Sequence, residues 1–180
     1  GPCGYCRGPE GYESWYDTVV RNHGTASLFH YSQLPNDRGV SRNVPVEEYI
    51  EFRRKELAPA TARGLYIQPM LQLPDLMKNA GVEALPWLHE YTAALAKAFK
   101  NEKYLMGWMI ADEVSDDYLW GIAATVDAIN RSDPSKVAAV NHFGIERIMR
   151  FEPYLNIVMT DYYPIHDHQR DPWSYAKWCR

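Results

Sequence analysis

Cysteine is scarce: Cys3, Cys6 and Cys179 are the three in 180 residues. Cys3 and Cys6 have the spacing of half a zinc or redox knuckle, but the second pair that a structural zinc site needs is missing. No metal is therefore expected there, and residues 1–12, rich in Gly and Pro, are expected to be irregular. Long apolar runs are missing too, since no stretch nears the roughly 18 residues of a membrane-spanning helix. No basic-then-apolar leader opens the chain, which leaves export undecided. Positive charge is not in excess: 19 Lys and Arg face 23 Asp and Glu, for a formal net charge of −4. Neither nucleic acid nor an anionic membrane surface is expected as a partner. A Gly-rich phosphate turn after the first strand is also absent, which argues against a dinucleotide-binding sheet.

Aromatics are plentiful, with 13 Tyr, 6 Trp and 5 Phe. Such rings either pack or line a cleft for flat ligand faces, and composition does not choose between the two. The hydrophobic share of 46% suits one globular domain with a substantial core.

The strongest local pattern runs from Tyr104 to Tyr118. An apolar run, Met106 to Ala111, is interrupted only by Gly107 and ends in Asp112 and Glu113. Ser115 then offers a helix N-cap, with Asp116 and Asp117 in the first turn, where the helix dipole favours negative charge. The run does not alternate, as expected of a strand covered on both faces in a parallel sheet.

Elsewhere the same alternation recurs. Helices are predicted over 13–23, from Pro45 until Pro59 kinks or ends it, over 84–101, 116–131 and 145–154, the last with Ile148 and Met149 inward. Strands are predicted over 25–29, 65–71, 137–140 and 157–160, with a bulge or an early end at Pro69. Strict alternation implies right-handed βαβ units. The step is about 33 residues, close to the roughly 31 of a (β/α)8 barrel of about 250. Each strand end offers polar or aromatic groups: His30 and Tyr31, Gln72, Asp112 and Glu113, Asn141 and His142, then Asp161, Tyr162 and Tyr163. These read as the rim of one barrel mouth. Eight strands do not fit into 180 residues at this step. The expected fold is thus α/β, a partial TIM barrel of about five parallel strands forming a single incomplete domain over 1–180, with an open five-stranded sheet as the alternative.

The string Gly107-Trp-Met-Ile-Ala-Asp-Glu113, with Asp161-Tyr-Tyr-Pro-Ile165 two strands later, resembles the clan A superfamily of retaining glycoside hydrolases. The likeness is to β-galactosidase-like branches whose fourth strand ends in Asp-Glu-Pro, and it covers roughly residues 25 to 165. The resemblance implies that the five strands are the second to sixth of a (β/α)8 barrel. It also implies that Glu113 is the general acid/base of a retaining O-glycosidase acting on carbohydrate. Such a group protonates the glycosidic oxygen and then activates water; burial beside Trp108 would raise its pKa. Asp112 stands where Asn is usual and Val114 where Pro is common. By the same resemblance Asp112, Asn141, His142, Tyr162, Tyr163, His30 and Tyr31 are candidate sugar contacts. The nucleophile, a second Glu on the seventh strand, has no counterpart here, and no cofactor is implied. An exported protein, secreted or periplasmic, would suit that activity.

Two other readings fit the same residues. Asp112 or Glu113 with His142, Asp161 and His166 would form a divalent-cation site for an isomerase or hydrolase barrel. A non-catalytic carbohydrate-binding relative on the same scaffold is the third. His166 and His168 form a His-x-His pair, which on a loop beside Pro164 is expected to be exposed.

Overall fold

A computed structural model describes residues 9–30, 44–71, 81–142 and 145–160. Helix α1 is Pro9–Arg21, strand β1 Ala26–His30, helix α2 Val46–Ala62 and strand β2 Tyr66–Pro69. A 3-10 turn, Gly81–Ala84, leads into α3, Leu85–Ala98; β3 is Gly107–Asp112. A second 3-10 turn, Asp116–Tyr118, precedes α4, Leu119–Ser132; then come β4, Val137–His142, helix α5, Ile145–Phe151, and β5, Ile157–Thr160. Cys3, Cys6 and Cys179 lie outside the described residues. Among those that are described, no helix is long and apolar enough to cross a membrane.

All pairings are parallel. β1 pairs with β2, and β4 lies between β3 and β5. Two parallel bridges, Ile67 to Leu105 and Met70 to Met109, bring β2 alongside β3. The strands therefore neighbour one another in chain order, without the reversal that a doubly wound sheet shows at its switch point. The helices cover one side of this run. Trp108, Ile110, Ala138 and Val140 belong to the large core with Leu88, Leu95, Ile122 and Ile129. The opposite side carries a smaller cluster of Met70, Met109 and Ala139, with Met159 packed against it.

Strand contact is tight at the foot of β3. Gly107 pairs with Val137, and any Cβ on Gly107 would fall inside the Val137 carbonyl. The foot of β5 is held by a side chain: Asn156 Oδ1 accepts from the Ala138 N–H at 2.9 Å.

Two element expectations change, at α1 and at Met149. α1 begins at Pro9, four residues ahead of the predicted start, and Pro fits there because a first-turn N–H has no helical partner. α2 runs through Pro59 and ends at Ala62, before Gly64 as expected. The carbonyl that loses its helical bond is that of Lys55, whose side chain is 73% exposed, so this turn of α2 faces solvent and the lost bond is tolerated. Met149 is 70% exposed and does not face inward. At Pro69 the early strand end holds, for β2 stops there and Met70 continues only as an isolated bridge.

Candidate functional site

The acidic pair stands where predicted, at the carboxyl end of β3. What decides its geometry is a bulge. Met109 pairs with Ala139 and Ala111 with Val140, so Ile110 is an extra residue on β3. Simple alternation from Met109 would bring Ala111 and Glu113 to the side of the methionine cluster. The extra residue shifts the pattern by one, and Asp112 takes that side instead, directly across from Asn141.

The pairing is more than positional. Asn141 is buried at 1% exposure and donates from Nδ2 to Asp112 Oδ1 at 2.8 Å. The main-chain carbonyl of Asn141 also accepts from the Glu113 N–H at 2.9 Å. Glu113 itself has φ +50. A non-glycine residue in this left-handed region costs about 1–2 kcal/mol, and such outliers cluster at functional sites. The turn sends the chain sharply out of the strand towards Ser115. That residue caps as expected: its Oγ accepts from the Asp117 N–H at 3.4 Å. Asp116 is bound by Arg150 from α5, which links the segments after β3 and β4.

Glu113 is exposed. The expected burial against Trp108 is not found, because Trp108 points to the helix side, edge-on to Phe99 with ring centroids 5.8 Å apart. Gln68, buried on β2, shares the side of Met70 by alternation, below the rim.

His30 and His142 end β1 and β4 as backbone, with His142 across from Thr160; their side chains lie outside the described part. Tyr31, Gln72, Asp161, Tyr162, Tyr163, His166 and His168 lie outside the described residues altogether. The structure thus brings together Asp112, Glu113 and Asn141. Among the described residues no group of three His, Cys, Asp or Glu side chains is arranged to hold a metal ion.

Chemically, the rim offers two different carboxyl groups in succession. One is half-buried and held by an amide; the other is exposed at a sharp turn. Parallel strands ending together on one rim are where α/β proteins bind ligands.

No family model and no curated protein matches the sequence. Solved structures match in fold. A β-galactosidase from the psychrophilic Marinomonas ef1 is similar with a TM-score of 0.69 at 9% identity, over 93% of this chain and 40% of that one. The likeness is one of fold. A β-galactosidase from Bacillus circulans sp. alkalophilus gives a TM-score of 0.68 at 8% identity, over 94% of this chain and 39% of that one. The GH5_18 protein of Streptomyces cattleya, crystallised with GlcNAc, gives 0.53 at 15% identity, over 76% of this chain and 40% of that one. The chain spans about two fifths of the length of these structures. The parallel α/β arrangement is thus shared with part of the glycosidase scaffold.

Proposed function

We propose that the chain is part of a glycosidase barrel, its strands β1 to β5 being the second to sixth, and that the parent protein is a retaining O-glycosidase. Glu113 is its general acid/base, and Asp112 lines the sugar site beside it. The observation that carries this reading is the exposed Glu113, set at a strained turn on the rim of a fold whose solved relatives include β-galactosidases. An acid/base residue must reach both the glycosidic oxygen and water, and a rim carboxyl does so. The nucleophile in this reading belongs to a further strand of the parent, about 5–5.5 Å from Glu113.

Aryl glycosides of graded leaving-group ability test the assignment on the full-length protein. Glu113→Gln is expected to abolish turnover of poor leaving groups while sparing glycosyl transfer from activated ones, which need no proton. An equal loss on both would remove Glu113 from the acid/base role.

A further inference from the structure

We propose that Asn141 is the positioning residue of the strand-end carboxyl pair, bonding to Asp112 through its side chain and to Glu113 through its main chain. Its role in catalysis rests on the reading of Glu113 as acid/base; its role in geometry does not. Asn141 lies on the middle strand of three, hydrogen-bonded on one side to β3 and on the other to β5, across from Met159. That backbone is fixed from both sides, and the residue is 1% exposed. One rigid residue therefore holds the inward carboxylate at 2.8 Å by its amide and the N–H of the rim residue at 2.9 Å by its carbonyl.

The amide suits this place better than its isosteres. Aspartate at 141 would set two carboxylates against each other. Leucine would bury an apolar chain against the Asp112 carboxylate and offer no donor. Asparagine supplies a donor without adding charge, and a hydrogen bond to a charged group is stronger than one between neutral partners. Because the bulge at Ile110 turns Asp112 towards Asn141, loss of this bond removes a side-chain tie from the end of β3. The direction of Glu113 depends on the same few bonds.

A swap of the two residues provides the test. On this chain, Asn141→Asp is expected to lower the urea midpoint at pH 7, and adding Asp112→Asn is expected to restore more than half of that loss by exchanging donor and acceptor. Losses that simply add in the double variant overturn the pairing. Should Asn141→Asp fail to fold, the Asn141 side-chain amide signals in the NMR spectrum of the native chain decide. They are expected to exchange slowly with solvent and to move on Asp112→Asn; signals that stay in place overturn the proposal. In the full-length protein acting on nitrophenyl glycosides, Asn141→Ala is expected to lower kcat about tenfold with KM changed less than about threefold. A rise in KM with kcat kept would make Asn141 a ligand contact and overturn its positioning role. A native full-length protein that cleaves no glycoside would sink the glycosidase reading, and the unfolding cycle would then stand as the test of the pairing.

Discussion

Arg53 and Glu56 form an ion pair one turn apart on α2, Nη1 to Oε2 at 2.6 Å, with both side chains sealed from solvent at 1% and 0% exposure. Arg53 also donates to the main-chain carbonyl of Met70, just past the end of β2. Charge is costly to bury, and it is tolerated here because the guanidinium meets both a carboxylate and a carbonyl. The pair fastens the upper part of α2 to the strand end beside the rim.

Breaking this pair from one side takes the carboxylate away from a buried guanidinium, or the reverse. Glu56→Leu is expected to destabilise the chain by about 3–5 kcal/mol, whereas Arg53→Met combined with Glu56→Leu costs much less. Urea unfolding of the singles and the double measures it. A double variant as unstable as the sum of the singles would show that each residue acts through other contacts.

The contact between β3 and β4 at Gly107 leaves no room for a side chain. Gly107→Ala forces the Val137 carbonyl away, at a cost near the upper end of the 1–3 kcal/mol typical of overpacking, about 3 kcal/mol. Denaturant midpoints check this, and a near-neutral substitution would mean that the two strands separate easily at their foot.

Much of this architecture was legible in the residues. The unalternating run before Asp112 marked β3 as a buried parallel strand, and Ser115 with Asp116 and Asp117 marked the turn that follows. The bulge was not legible, because Ile110 is an ordinary β-former and nothing in the string says which residue is extra. That one residue decides that Asp112 rather than Ala111 stands across from Asn141. Arg53 and Glu56 were equally hidden. A charged i,i+3 pair on a helix ordinarily reads as a solvated face, and only the packing of α2 against β2 buries it. Glu113 shows the converse: the motif named the residue, but its left-handed backbone could not be read from the motif.

Acid should loosen the outer helices slightly. Asp127 on α4 is held below the usual carboxylate range, first by the hydrogen bond from Arg131 and then by that to His89 of α3. A folded-state value below the unfolded one means that this stabilisation is present above about pH 4 and is lost as pH falls through the folded value. Asp17 behaves alike through Arg63, which joins α1 to α2 at 2.7 Å. Both groups are exposed, so each effect is small and screened by salt. Arg131→Gln and Arg63→Gln are expected to move the acid unfolding midpoint slightly upward at low ionic strength, and not at all in about 1 M salt. A shift that persists in high salt would point to packing as its source.

The strained turn at Glu113 sets stability against function. Glycine adopts φ +50 without a Cβ clash, so Glu113→Gly relieves strain that the native residue carries. Against that gain stands the larger entropy glycine loses on folding, and the balance is a stabilisation of about 0.5–1 kcal/mol. Glu113→Gln keeps both the strain and the side-chain shape, and is expected to leave the urea midpoint where it is. The two variants together separate backbone from carboxyl: if Glu113 is the proposed acid/base, both are expected to lose that activity in the full-length protein, and only the glycine is expected to gain stability. A residue retained at a backbone cost that a neighbour-neutral substitution removes is one kept for its chemistry. If Glu113→Gly proves no more stable than the native chain, the left-handed turn carries no more strain than the entropy glycine loses, and the geometric case for Glu113 as the working carboxyl rests on its rim position alone.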